Sequence, residues 1–112
     1  PIDVPSVSCD GPETEIEVTL FTDWCPEETS WTLVDLCNND LIAEGGNYRS
    51  TTTSYTSTVT ACASIFEFTI FDSYGDGLFE GDGSYTVTQD GIEVASGGEF
   101  ESSEASSFGT SC

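Results

Sequence analysis

The chain predicts an all-β protein: an antiparallel β-sandwich or jelly roll of about seven or eight strands, with an extended N-terminal arm. Two observations carry this. Short runs rich in Val, Ile, Thr, Tyr and Phe alternate apolar and polar residues with the period of two that a half-buried strand needs. Gly, Pro, Asn and Asp clusters punctuate those runs at the close spacing of a sandwich, and no segment makes a credible helix.

Taken in order, residues 1–12 form the arm and residues 13–112 one sandwich domain. Pro1, Pro5 and Pro12 forbid helix in the arm and cannot donate ladder hydrogen bonds. Ile2 and Val4 share one face of an extended chain, Val7 continues the apolar content, and Asp10-Gly11-Pro12 is a turn that separates arm from body. The ordinary expectation is a loose terminus or an edge strand of its own domain. The sharper one is a strand lent to another copy by β-augmentation, with Cys9 beside it able to lock the joint by a disulfide to the neighbour.

Residues 14–22 alternate cleanly and predict the first strand, with Ile16, Val18 and Leu20 on the core face. Residues 22–31 read as a loop by their proline and acids, and residues 31–37 as a second strand. Cys37-Asn38-Asn39-Asp40 predicts a tight turn into a short third strand, residues 41–44, that Gly45-Gly46 ends. Residues 50–60 contain only Ser, Thr, Tyr and Val, which suits a flat, water-facing strand or O-glycosylation; there is no Asn-x-Ser/Thr sequon for N-glycans. Residues 64–71 form the most apolar strand, expected to be central, with Phe66, Phe68 and Ile70 on one face. Residues 84–88 and 92–95 flank Asp90-Gly91 and predict a hairpin. Residues 104–111 complete the set, with Phe108 inward.

The stretch Phe71–Gly83 concentrates chemistry: four carboxylates and four glycines in thirteen residues, straight after the central strand. Glycines let the backbone bend so that carbonyls and carboxylates converge, and a flexible all-oxygen loop suits a hard cation such as Ca²⁺. It is not an EF-hand, because counting from Asp72 the twelfth position is Gly83, where a bidentate Glu belongs. The plain alternative is a solvated acidic loop. Loops at one end of a sandwich cluster, so Asp23 and Glu28 from one loop and Asp72 and Asp76 from another form one candidate Ca²⁺ site, with Asp82 as a fifth ligand. Trp31 and Tyr74 are either core filler or a platform for sugar rings.

Composition excludes several functions. Lys plus Arg is 1 and Asp plus Glu is 21, a formal net charge of −20. Such a chain cannot neutralise phosphates, which argues against nucleic acid and anionic membranes, and bound cations would offset its self-repulsion. No apolar run is long enough for a membrane span. With no histidine there is no Ser-His-Asp or Cys-His arrangement, and with no lysine no Schiff base, so no catalytic residues and no enzyme are expected. Cys9, Cys25, Cys37, Cys62 and Cys112 are scattered without a C-x-x-C pair, which argues for a secreted disulfide framework over zinc. Four can pair, in fifteen arrangements that the sequence leaves open. A start at Pro1 with no Met and no apolar leader gives the expectation of a mature secreted form.

The elements Thr22-Asp23-x-x-Pro26-x-Glu28-Thr29-Ser30-Trp31, Phe68-x-Ile70-x-Asp72-Ser73-Tyr74-Gly75-Asp76-Gly77, Gly83-x-Tyr85-x-Val87 and Gly97-Gly98-x-Phe100 resemble a small secreted β domain found in extracellular proteins of microalgae and aquatic bacteria, often appended to proteases or adhesins. The resemblance implies fold and location rather than one activity. The arm-plus-body organisation is similar to jelly-roll protomers of extracellular fibrils that insert an N-terminal strand into the next subunit. Two functions are therefore expected: a filament subunit whose partners are copies of itself, or a Ca²⁺-dependent carbohydrate-binding or adhesive module.

Overall fold

A computed structural model of the chain describes residues 9, 11–22, 25–46, 48–49, 53–73, 83–98, 100 and 102–109. Eight strands form two four-stranded antiparallel sheets. They are β1 (Glu13–Phe21), β2 (Thr29–Asp35), β3 (Asp40–Gly45), β4 (Ser54–Cys62), β5 (Ile65–Asp72), β6 (Ser84–Gln89), β7 (Ile92–Gly97) and β8 (Ser103–Gly109). The orders are β4-β1-β6-β7 in one sheet and β3-β2-β5-β8 in the other. No helix among the described residues is long and apolar enough to cross a membrane.

The period-two pattern decides which face is buried. Ile16, Val18 and Leu20 of β1 are inside, opposed across the sandwich by Phe66, Phe68 and Ile70 of β5. Trp31 and Leu33 of β2, Tyr85 and Val87 of β6 and Phe108 of β8 complete the core. β5 is central, as its apolar content predicts, because a strand hydrogen-bonded on both edges and covered on one face loses the most water. The aromatic rings meet at tilts: Trp31 and Phe68 lie 5.7 Å apart, Phe68 and Tyr85 5.4 Å. Offset contacts of this kind avoid facing two negative ring surfaces.

Element bounds differ from expectation where pairing overrides local sequence. β2 begins at Thr29, two residues early, because Thr29 lies opposite Asp72 of β5 and the ladder extends to that pair. It ends at Asp35, whose Oδ1 accepts from the backbone N–H of Cys37 (2.9 Å) and from Ser64 Oγ (2.6 Å). Pro26–Glu28 close into one 3₁₀ turn. Proline stands at its first position, where a missing N–H costs nothing. The hairpin forms as expected. Asp90 and Gly91 both take positive φ (52° and 85°), the turn whose twist suits the two strands. Asp90 also pins that turn to β1: Oδ1 accepts from Glu15 N (2.8 Å), Oδ2 from Thr14 Oγ1 (2.7 Å). These bonds, the backbone one foremost, hold the Asp90 carboxyl below its ordinary pKa.

Candidate functional site

Strand direction alone gathers four connections at one end. Phe21 at the end of β1 lies opposite Ser54, the start of β4, and Ser84, the start of β6. Thr29 opens β2 opposite Asp72, the end of β5, and Phe71 faces Ser103 at the start of β8. The connections β1–β2, β3–β4, β5–β6 and β7–β8 therefore leave and return at this end. Glu28 and Asp72, from the two loops expected to meet, come together here. Ser73 N donates to Glu28 O at 3.0 Å. Asp23, Asp76, Asp82 and Tyr74 lie outside the described residues.

The core is polar where it meets this end. Thr22, Thr29 and Asp72 are all buried, Asp72 at 2 % exposure. Thr22 exchanges bonds with Thr53: its N–H and Oγ1 donate to Thr53 O (3.0 and 3.2 Å), and Thr53 N donates to Thr22 Oγ1 (3.0 Å). Cross-strand partners in a ladder share a face, so Thr29 and Asp72 sit side by side beneath the loops. Thr29 Oγ1 has no hydrogen-bond partner, alone among buried side-chain oxygens and nitrogens of the described residues. Burying an unpaired hydroxyl is costly.

Beside this polar cap, ligand atoms of Cys25, Glu27 and Glu28 lie within 4.8 Å of one another. Glu27 and Glu28 border an open cleft of about 670 Å³ that Ser30, Glu44, Gly46 and Ser73 also line. Carboxylates from two separate elements, Glu27 and Glu28 from the 3₁₀ turn and Glu44 from the end of β3, are the oxygen donors a hard cation takes. Glu27 and Glu44 were not singled out from the sequence. The signal was there, since Glu44 immediately precedes Gly45-Gly46 and alternation of strand direction puts that connection at the same end.

The arm presents a second candidate site. Ile2, Val4 and Val7 lie outside the described residues, but the arm's root is fixed. Ala63 N donates to Pro12 O (2.9 Å), and the turn brings Cys9 back to Cys62, with Cα atoms 5.4 Å apart and a disulfide between them. This corrects the expectation that Cys9 locks a joint to a neighbouring copy: its sulfur is used within the chain, because the Gly11-Pro12 turn carries it back to the end of β4. Cys37 is also disulfide-bonded, while Cys25 keeps its thiol.

Cys62 stands at the lip of a groove of about 510 Å³ between β3 and β4, lined by Leu41, Ile42, Val59 and Ala61 and acidic at one end through Asp35 and Asp40. Among the described residues, nothing covers this groove. Leu41 is 53 % exposed, and Ile42 and Val59 are half-buried against the core. Nearer the loop end, Tyr48 and Tyr55 span the same side with ring centroids 4.6 Å apart.

Trp31 is 2 % exposed, so of its two expected roles it takes that of core filler and not of sugar platform. Its ring belongs to the core, and Nε1 donates to Tyr48 Oη at 2.8 Å. Burial outweighs that bond and raises the Tyr48 pKa. Gly45 makes room for this pair: a Cβ there would come within 2.3 Å of the indole nitrogen.

Scans for related proteins give no lead to the chemistry: no protein-family model matches the chain, and no curated protein matches it.

Proposed function

We propose that this protein is a structural subunit of an extracellular filament, in which residues 1–8 of one copy insert into the sandwich of the next. The observation that carries the proposal is the Cys9–Cys62 disulfide, which roots an apolar, proline-limited arm beside the groove that the described residues form between β3 and β4. Burying Ile2, Val4 and Val7 in a neighbour is worth roughly 5–7 kcal/mol before ordering costs. Insertion is head-to-tail, so it propagates into a fibre rather than closing. The disulfides fit an oxidising, secreted setting. A cation at the loop end, held by Asp72 and Glu28 together with Asp23, Asp76 and Asp82, stabilises the subunit and relieves part of its charge.

Electron microscopy of the full chain beside a form lacking residues 1–8 tests this. Fibres from the first and particles of single-subunit size from the second are expected. Dispersed monomers from both overturn the proposal.

A second function, a Ca²⁺-dependent carbohydrate-binding or adhesive module, draws on the acidic cleft at the loop end. It is weakened by the burial of Trp31. Sugar binding by monomers on a glycan array, abolished by chelator, would favour it over the filament.

A further inference from the structure

The two sheets have four edge strands, and three of them carry features that stop another strand from pairing. In β3 the register with β2 skips Ile42, a bulge, and the strand carries Asp40 and Glu44. In β7 the register with β6 skips Val94, again a bulge, and Glu93 stands beside it. In β8, Glu104 lies opposite the buried Ile70 and so points inward, where Tyr85 Oη donates to its Oε1. Bulges, edge charges and inward-pointing charges are the devices by which sheets avoid edge-to-edge addition.

β4 has none of them. It is nine residues long, pairs with β1 through nine unbroken positions from Cys62 to Ser54, and contains no charge, proline or glycine. In a chain of net charge −20, residues 50–66 form a gap without one charged side chain. A long, flat, uncharged edge is a template for a further strand.

We infer that the edge of β4 that no other described strand covers is the acceptor, and that residues 1–8 of a second copy are the strand it accepts; this rests on the filament proposal and names its contact. The dimensions agree. Eight extended residues reach about 26 Å and β4 spans about 30 Å. A strand laid on β4 points alternate side chains between the sheets, so Ile2 and Val4 enter the groove beside Val59, Ala61 and Leu41. Pro5, which donates no hydrogen bond, is tolerated because the added strand becomes the new edge.

The donor is a second copy rather than the chain's own arm because of where the tether lies. Cys62 is opposite the exposed Glu13 and next to the buried Ala61, so its side chain is on the outer face of the sheet. The arm therefore starts on the outside of β4, while the groove opens between the sheets. To put Ile2 and Val4 into its own groove, a chain would have to round the edge of β4 within residues 5–8, which lie between Val4 and Cys9.

The test uses the full chain in about 0.15 M salt, where repulsion between acidic copies is screened. Ser57 is exposed in β4 and lies opposite Val18, on the face it shares with Val59 and Ala61, so Ser57→Lys places a charge at the mouth of the groove; circular dichroism checks the fold, and Leu41→Glu on the opposite lip is the second variant. Ser103→Lys on the β8 edge is the control. Sedimentable fibre is expected to fall at least ~10-fold for Ser57→Lys and Leu41→Glu, the consequence of about 1.4 kcal/mol lost per contact, and to stay at the wild-type level for Ser103→Lys. Two singly substituted proteins, Val4→Cys and Ser57→Cys, are also mixed under oxidation, and a disulfide-linked pair of copies is expected. Wild-type fibres with both edge variants assembling normally overturn the β4 inference and leave the filament proposal standing. A bond that forms only when both cysteines are on one chain overturns the second copy as donor. Absence of wild-type fibres overturns the filament proposal, and this inference with it.

Discussion

Removing the Cys9–Cys62 bond should weaken the fold heavily, and the size of the effect follows from its position. The two cysteines are 53 residues apart in sequence, so the bond closes a loop holding nearly half the chain. In the chain-entropy account, opening a loop of that length returns about 14 cal/mol/K to the unfolded state, or about 4 kcal/mol at 25 °C. A chain of 112 residues unfolds with an entropy of about 0.24 kcal/mol/K near its midpoint, so the Cys9→Ser/Cys62→Ser variant should melt about 17 °C lower. The assay is thermal unfolding by circular dichroism without reductant, so that the Cys37 disulfide remains intact. Little side-chain packing disappears with the bond, because Cys9 is only half-buried at the sandwich's edge. A fall of less than about 5 °C would refute the loop-closure reasoning and show that β1–β4 pairing already confines this end of the unfolded chain.

Two further outcomes follow from the loop end and the hairpin. If a cation binds beneath the loops, calcium at about a hundred times its dissociation constant should add about 2.7 kcal/mol and raise the midpoint by about 11 °C. Asp72→Asn should abolish that rise, and Thr29→Val in chelator should leave stability unchanged or raise it by about 1 kcal/mol, since the lost hydroxyl had no partner. No shift on titrating calcium would count against the site. The Asp90 carboxyl has a depressed pKa in the folded state, so the stability it contributes is present above its unfolded value near 3.8 and is lost as pH falls through the lower, folded one. The stability gap between the wild type and Asp90→Asn should therefore narrow as acid is added below about pH 4; a gap independent of pH would show that the bonds to Glu15 and Thr14 do not favour the charged form.

The sandwich was legible in the sequence because its cause is local. Ile16, Val18 and Leu20 alternate with charge and hydroxyl, Phe66, Phe68 and Ile70 do the same, and Asp90-Gly91 can hardly be anything but a hairpin turn. What the sequence left open was exposure. For Trp31 the sequence left core filler and sugar platform both open, and only its burial beside Gly45 and Tyr48 chose the core.

The pairing of cysteines is a distance in space, and no spacing along the chain encodes it. Cys9 finds Cys62 only because β1 and β4 are neighbours and the turn before β1 folds back. Likewise, Glu44 joins Glu27 and Glu28 through strand direction, although sixteen residues separate it from Glu28 in the chain. The hydroxyl-rich stretch shows the division most sharply. Its composition favoured extended structure, since β-branched residues prefer that conformation, and left a water-facing strand and O-glycosylation both open. Only the sheet order made it an edge, with one side of its backbone turned away from β1, while the other three edges are bulged or charged. Sequence sets which face of a strand avoids water; tertiary structure decides which backbone groups are left without a neighbour, and these are where another strand can bind.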